Sequence, residues 1–331
     1  MFATLKQVVG ENWHWRRQVW NLAKIDLVKT YRGAALGKIW LFAKPAVYIL
    51  VFWVALKFGL RSSSDVNGKP FLLWLAAGVF PWFFMSDMIT TGSDVYRRYP
   101  YLVNRIKFPL SLISTFYTLS LLIIFACMMA FTIVVALLTG VHLGRYMLQL
   151  PLVMVFMFLF WVAWSMALSP LSAISRDFSN LLKTLGTPFF WLSGILFDIS
   201  GWPRTARLVA SFNPVTWVVQ SVRDCFIYNK WFFTDWESFL PFLFVLLIFV
   251  VLALHNYHRL YMECRMSSKL PSNVTRMGDA TSSATRTRAI PSPCASTTSP
   301  SSTSCSRTTS CACCPPSPSA FRTIRSTRAM T

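Results

Sequence analysis

Apolar residues dominate long stretches of this chain, and the polar positions between those stretches mark where its elements end. Six apolar runs stand out, at residues 37–60, 71–91, 110–139, 146–173, 185–197 and 239–257. A helix needs roughly 20 apolar residues to cross the hydrocarbon core of a bilayer, which is about 30 Å thick. The runs predict an all-α polytopic membrane protein with six transmembrane helices.

Before the first run, apolar and aromatic residues recur at helical spacing among basic ones. The pattern covers residues 12–38 and is typical of an amphipathic helix that lies along a membrane surface. A simple anchor and a helix that docks a partner protein both fit it. We therefore divide the chain into an interface helix at residues 1–36, a six-span domain at residues 37–262 and a tail at residues 263–331.

The stretch between the last two runs changes character after Asp198. It is interrupted by Gly201, by Pro203 and by the pair Asn213-Pro214. A continuous helix does not carry such breakers through its middle. The pieces between them, RTARLVASF and VTWVVQSVRDCFI, predict two short amphipathic helices that enter the membrane and return, because neither can cross it. Irregular backbone at membrane depth is tolerated where it lines a cavity, so this stretch indicates a path through the protein.

Composition and charge set the class and the orientation. Hydrophobic residues make up 54% of the chain and charged residues only 13%, well below the share of about one quarter in soluble proteins. The formal net charge is +20, but the basic residues form no concentrated face for a nucleic acid, and many of them flank the apolar runs. Short loops rich in Lys and Arg stay in the cytoplasm, so we expect both termini, and with them the interface helix, on the cytoplasmic side.

From about Pro271 the composition changes abruptly to Ser and Thr with Arg, Pro, Ala and Cys. Such a chain cannot bury enough apolar surface to build a core. It fits a disordered extension. The sudden change with five scattered cysteines also fits out-of-frame translation of a GC-rich message, which we favour, and we assign no function beyond Met266.

The sequence contains no nucleotide-binding or catalytic motif. The nearest approach to a phosphate-binding loop is Gly68-Lys69, which is followed by Pro70 where Ser or Thr would bind magnesium. We expect no cofactor in this chain, so energy must come from another subunit or an ion gradient. His, Asp and Glu form no cluster for a metal or for acid-base chemistry. This argues against a membrane-embedded glycan-modifying enzyme, the alternative from a different class.

Aromatic residues are unusually frequent in the first two apolar runs. We predict a substrate path lined by Trp40, Tyr48, Phe52, Trp82 and Phe83. Sugars present apolar CH faces that stack on aromatic rings, so such a path suits a polysaccharide. Packing against lipid and anchoring at the membrane interface are the alternative role of each ring.

Several segments, in their order and spacing, resemble the permease (transmembrane) subunit of ABC transporters that export polysaccharides, of the O-antigen and teichoic-acid type. After the basic N-terminal helix they are YRGAALGKIWLFAKPAVYILVF, YPYLVNRIKFPLSL, SAISRDFSNLL, WLSGILFDISGWP and NPVTWVVQSVRDCF. The resemblance implies a homodimeric permease of the bacterial cytoplasmic (inner) membrane. Two separate ABC ATPase subunits would bind ATP and magnesium. The implied substrate is an undecaprenyl-linked glycan, and a permease of the same fold for a drug, haem or lipid is the alternative.

The same resemblance places two sets of residues at functional positions. A cytoplasmic set, for a gate, for the lipid pyrophosphate or for coupling to the ATPase, comprises Arg32, Arg97, Arg98, Tyr101 and Lys107. An outer-gate set comprises Asn213, Pro214 and Arg223. For the cations, ordinary positive-inside topology or snorkelling of a long side chain is the alternative.

Overall fold

The computed structural model describes residues 2–31, 37–59, 66, 68–103, 108–141, 144–199 and 201–267. Residues Met1–Cys264 form one compact unit, and nearly all of the predicted tail lies outside the described residues. Within the described ranges every element of regular secondary structure is helical. The one strand-like pairing there is a single β-bridge between Val66 and Lys69. The predicted all-α class is confirmed.

Twelve α-helices occupy the described ranges. In chain order they are α1 (Phe2–His14), α2 (Arg16–Tyr31), α3 (Trp40–Val54), α4 (Phe71–Thr90), α5 (Val95–Arg98), α6 (Pro100–Val103), α7 (Ser111–Leu138), α8 (Leu150–Ile174), α9 (Arg176–Leu192), α10 (Arg204–Ser211), α11 (Pro214–Arg223) and α12 (Trp236–Ser267). Where the sequence predicts one N-terminal helix at residues 12–38, the structure has the pair α1 and α2, which meet at Trp15.

Four of the described helices are long and apolar enough to cross a membrane: α4, α7, α8 and α12. With 28 residues at about 1.5 Å each, α7 alone exceeds the roughly 30 Å of hydrocarbon. They match four of the six predicted spans and make the chain a polytopic membrane protein. The first predicted span contains the shorter α3, whose apolar part Pro45–Phe58 falls below that length.

The fifth predicted span, at residues 185–197, has different boundaries in the structure. Its helix, α9, begins at Arg176, because the Ser175 side chain caps it by accepting a hydrogen bond from Phe178 N at 3.3 Å. It ends at Leu192, two residues before Gly194, which has a φ of 68°. A Cβ at Gly194 would lie 2.6 Å from Ile199 Cγ2, so both the conformation and the space require glycine.

The central helix of the bundle is α4. In its most apolar window 72% of the residues are buried, against 28% in α7 and 22% in α12. It packs against α3, α7, α9 and α11. Its N-terminal half carries Ala76, Ala77 and Gly78, and such small residues let neighbouring elements approach closely.

The ends of α4 define two ends of the molecule. At its start, Lys69 Nζ donates a hydrogen bond to Phe226 O at 2.7 Å, so this end contains the connection between α9 and α12. Just beyond its C-terminus, Gly92 O accepts a hydrogen bond from Ser165 Oγ at 2.7 Å, near the C-terminal part of α8. We call them the 193–236 end and the 91–103 end. Candidate functional residues lie at both ends and along α4 between them.

Candidate functional site: an aromatic face between two polar ends

Of the five aromatic residues predicted to line a path, four pack together where α3 meets α4, while Trp40, at the start of α3, lines a cavity with Phe83. Ring centroids are 5.3 Å apart for Tyr48 and Phe83 and 6.3 Å apart for Tyr48 and Phe52. Phe190, on α9, then joins Phe52 at 6.3 Å to Trp82 at 5.2 Å. We call the predicted five together with Phe190 the aromatic face.

The aromatic face is not covered by the rest of the described chain. Tyr48 is 48% exposed and Trp40 is 46% exposed, while the other four rings are half-buried. Phe190 is the member that the sequence analysis missed. The run of three aromatics at residues 189–191 is a signal for it, but only the packing of α9 against α3 and α4 selects the middle ring.

A cavity of about 450 Å³ extends the aromatic face toward the 91–103 end. Trp40 and Phe83 line it, and so do Arg98 and the carboxylates Asp26 and Asp87. Arg98 also lies over two tyrosines, with its Cζ 5.5 Å from the Tyr117 ring centroid and 5.8 Å from that of Tyr99. A phosphate bound by Arg98 would therefore also face two negative charges.

Arg97, the neighbour of Arg98, belongs to a different cluster. Its Nη1 lies 3.5 Å from Asp94 Oδ1 and 3.4 Å from Ser172 O. Asp94 also accepts hydrogen bonds from Ser172 and from Ser179, the latter at 2.7 Å, and pairs with Lys183 at 3.2 Å. The cluster ties the start of α9 to α8 and α5. The sequence analysis missed Asp94, although its position three residues before Arg97 is a signal for a helical ion pair.

The other cytoplasmic candidates are dispersed. Tyr101 is 54% exposed, and Lys29 Nζ lies 5.9 Å above its ring centroid. Arg32 and Lys107 lie outside the described residues. The described members of the predicted cytoplasmic set thus share the 91–103 end, but they do not converge on one point.

The N-terminal helices are fastened to the 91–103 end through carboxylates. Glu11 Oε2 accepts hydrogen bonds from Tyr257 Oη at 2.7 Å and from Ser111 Oγ at 2.9 Å. Asp26, 8% exposed, accepts a hydrogen bond from Tyr99, and burial together with this bond raises the pKa of Tyr99. Sequence analysis missed both acids, although they are the two acidic residues among the first 60, in an otherwise basic segment.

At the 193–236 end, the buried Arg223 holds three elements together. Its side chain is 1% exposed. Nη1 donates to Gly194 O at 2.8 Å and Nη2 donates to Ile195 O at 2.6 Å, just after α9 ends. Its Cζ lies 3.6 Å from the ring centroid of Trp74 on α4. A Cβ at Gly78 would lie 2.7 Å from Nη2, so this packing requires glycine there.

The Asn213-Pro214 pair begins α11 and binds α9. Asn213 Oδ1 accepts a hydrogen bond from Val215 N at 3.1 Å, and Pro214 occupies the first turn, where no amide donor is needed. Asn213 Nδ2 donates to Phe189 O at 3.1 Å, one of the carbonyls that the end of α9 leaves without a helical partner. The three predicted outer-gate residues therefore lie at the two ends of α11, and both ends bond to the C-terminal part of α9 or to the residues just after it.

The Gly68-Lys69 pair has a structural environment. Lys69 Nζ donates to Phe226 O and, at 3.4 Å, to Asn229 Oδ1, and burial lowers the pKa of this ammonium. The lysine side chain that a phosphate-binding loop would need thus joins the segment before α4 to the segment between α11 and α12. In the described ranges, no three His, Cys, Asp or Glu residues are grouped to hold a metal ion.

A helical membrane bundle with an aromatic face and two polar ends has the architecture of a transport protein. Comparison with protein families supports that class. The family model described as ABC-2 type transporter matches residues 17–227. This range runs from the second residue of α2 to just beyond α11, and it leaves out α1 and α12. The chain belongs to the ABC-2 type transporter family and is a transport subunit rather than an enzyme.

Individual relatives narrow the comparison. The chain is similar to the O-antigen export system permease protein RfbA of Myxococcus xanthus, with 23% identity over 230 residues, 68% of this chain and 85% of that protein. A Klebsiella pneumoniae protein of the same name is 22% identical over 232 residues, 70% of this chain and 88% of that protein. A second from Klebsiella pneumoniae is 21% identical over 203 residues, 61% and 77% of the two chains.

Proposed function

We propose that this chain is the transmembrane permease of an ATP-driven exporter that moves a lipid-linked polysaccharide across the cytoplasmic membrane. The names of the three RfbA relatives support an O-antigen-like glycan as the substrate class. The aromatic face is the structural observation that carries the proposal. Five of its six rings form a continuous, partly exposed series between the two ends, suited to the CH faces of a moving sugar chain.

The proposed topology has six crossings with both termini in the cytoplasm. The helices α3 and α9 are too short to be counted as membrane spans by length alone, but both run beside α4. One end of α9 contacts Asp94 and the other contacts Asn213. In this topology α10 and α11 re-enter the membrane from the outer face. Membrane-impermeant labelling of single cysteines tests it: Gln18→Cys is expected to react only from the cytoplasm and Thr205→Cys only from outside.

The proposed partners are two ABC ATPase subunits at the 91–103 end and a second copy of this chain. Basic and aromatic side chains on the exposed surface of the N-terminal helices support a docking role, with Arg16 Cζ 4.9 Å from the Trp13 ring and Lys24 Nζ 5.0 Å from the Trp20 ring. Exposed apolar residues of α3 support contact with another copy or with lipid, among them Val47, Leu50 and Val51.

The decisive experiment measures surface glycan per cell at matched permease level. Replacing Trp40, Tyr48, Phe52 and Trp82 together by Leu keeps the surface apolar while removing the stacking faces. We expect normal insertion and a severe loss of export. The matched control replaces Phe131 and Phe244 by Leu, two exposed aromatics on α7 and α12 outside the aromatic face, and is expected to export normally.

Two outcomes would contradict the proposal. Undiminished surface glycan in the multiple variant would show that the aromatic face packs against lipid. Unchanged surface glycan in cells that lack the chain altogether would refute polysaccharide export itself, and would direct the search to a drug, haem or lipid substrate.

A further inference from the structure

The 193–236 end contains a second cavity, which is separate from the aromatic face. Its volume is about 550 Å³, within the range of about 300–1,000 Å³ that is usual for ligand pockets. Its walls come from the connection after α9, from α10 and α11, and from the first turn of α12. No residue of the predicted outer-gate set lines it, so nothing above assigns it a role.

The polar lining of this cavity is predominantly acidic. Its carboxylates are Asp198, Asp224, Asp235 and Glu237, and its cations are Arg207 and Lys230. Side-chain amide and hydroxyl groups of Gln220, Ser211, Ser221, Thr234 and Ser238 complete it. Glu237 is also paired with Arg204 outside the lining, at 3.5 Å. The cavity therefore offers many hydrogen-bond acceptors and more carboxyl groups than cations in its lining, which suits a ligand rich in hydroxyl donors and disfavours an anionic one.

Asp224 is a largely buried carboxyl group in this cavity, and the nearby Lys230 and Arg223 attract it electrostatically. It is 5% exposed, yet no side-chain hydrogen bond or ion pair joins its carboxylate to another of the described residues. Burial disfavours the charged form of this carboxyl group, so a hydroxyl donor from a ligand would stabilise it. The buried indole N–H of Trp217, which also lines the cavity, has no acceptor in the described ranges either.

Aromatic rings supply the remaining walls. Trp217 is held rigidly by stacking on Phe242 at 4.0 Å, whereas Trp236, at the edge, is 57% exposed. Rigid aromatic surface beside carboxylate and amide acceptors is the combination that binds a sugar ring, through its CH face and its hydroxyls. Among the described residues no group of metal ligands exists here, so the acidic side chains do not form a cation site.

We propose that this cavity binds a neutral, hydroxyl-rich sugar unit of the exported glycan at the 193–236 end. The proposal rests on the proposed function and adds two things to it. It places a glycan contact away from the aromatic face, and it defines the sugar as uncharged, because uronate or phosphate groups would meet the carboxylates of the cavity.

The test uses the full chain in nanodiscs with two soluble probes, maltohexaose as the neutral oligosaccharide and hexagalacturonate as the acidic one. Saturation-transfer NMR and a titration measure binding. We expect the neutral probe to bind, Trp236→Ala to weaken it about tenfold, and Phe233→Ala to leave it unchanged. Phe233 is the matched control, because it is an exposed aromatic three residues away that does not line the cavity.

A second pair of variants tests the charge argument. Asp224→Asn and Asp235→Asn, the latter at an exposed position, are expected to reduce the preference for the neutral over the acidic probe while keeping the shape. Asp235→Asn removes a negative charge, and Asp224→Asn removes the partial charge of a group whose pKa burial raises to about 7. Absence of neutral binding, equal binding of both probes by the unaltered chain, or equal effects of Trp236→Ala and Phe233→Ala would each overturn the proposal. If export nevertheless requires the chain, the cavity assignment fails while the proposed function stands.

Discussion

Replacement of Arg223 by Met tests how the end of α9 is held to α11 and α4. The change removes two hydrogen bonds from a charged donor, worth about 1.5–3 kcal/mol each, and a buried cation–π contact worth about 2 kcal/mol. It also leaves the carbonyls of Gly194 and Ile195 without these donors. Part of the loss is offset, because the desolvation of a buried charge disappears as well. We expect a net destabilisation of about 2–4 kcal/mol.

For a bundle of this size such a change corresponds to a drop in melting temperature of about 5–15 °C. The assay is the thermal loss of the monodisperse peak of the detergent-solubilised protein in size-exclusion chromatography. Arg204→Met is the control, since its side chain is 76% exposed and its ion pair with Glu237 spans 3.5 Å in solvent. Arg223→Lys should fall between the two, because an ammonium cannot make the paired contacts of a guanidinium. A melting temperature for Arg223→Met equal to that of Arg204→Met would refute the conclusion that Arg223 holds the end of α9 to α11 and α4.

Three further changes have defined outcomes. Gly78→Ala should lower thermal stability by about 1–3 kcal/mol, because its Cβ would lie 2.7 Å from Arg223 Nη2; an unchanged melting curve would contradict the close packing. Asp94→Asn should cost about 1–2 kcal/mol through its lost pairs with Arg97 and Lys183, measured against Asp177→Asn. Burial, with Asp235 nearby, raises the pKa of Asp224 to about 7, so its contribution to stability is present below about 4 and is lost as the pH rises through 7. Asp224→Asn should flatten the melting temperature between pH 5 and 8, and an unchanged profile would count against this titration.

Much of the fold could be predicted from the sequence because membrane spans are local features. The apolar runs at residues 71–91 and 110–139 agree with α4 and α7 to within one residue at each end, since a helix in lipid satisfies its backbone internally and ends where apolar residues end. The two short helices α10 and α11 were likewise expected, from the breakers around them. The five predicted rings were chosen from the frequency of aromatic residues in the first two apolar runs, and their role as a substrate path stays a prediction.

The boundaries of α9 could not be obtained in the same way. Its apolar residues begin late, because the first turns lie against the polar cluster around Asp94 and bury Ser179 and Leu182 rather than facing lipid. Its end depends on Gly194, which has a positive φ and leaves no room for a Cβ beside Ile199. Both features are tertiary contacts, and hydropathy carries no information about them.

Neighbouring charges show the same limit at the level of side chains. The family resemblance places Arg97 and Arg98 in one set, yet consecutive residues of a helix point about 100° apart. Because α5 packs between α7 and α8, one guanidinium faces Asp94 and the other faces the cavity that Trp40 and Phe83 line. In this arrangement the two arginines do not bind one phosphate together. If a lipid-linked anion binds at this end, Arg98 contacts it from the cavity, while Arg97 keeps α8 and α9 in place. Removing the charge of Arg98 should therefore weaken substrate binding, whereas removing the charge of Arg97 should lower the stability of the bundle.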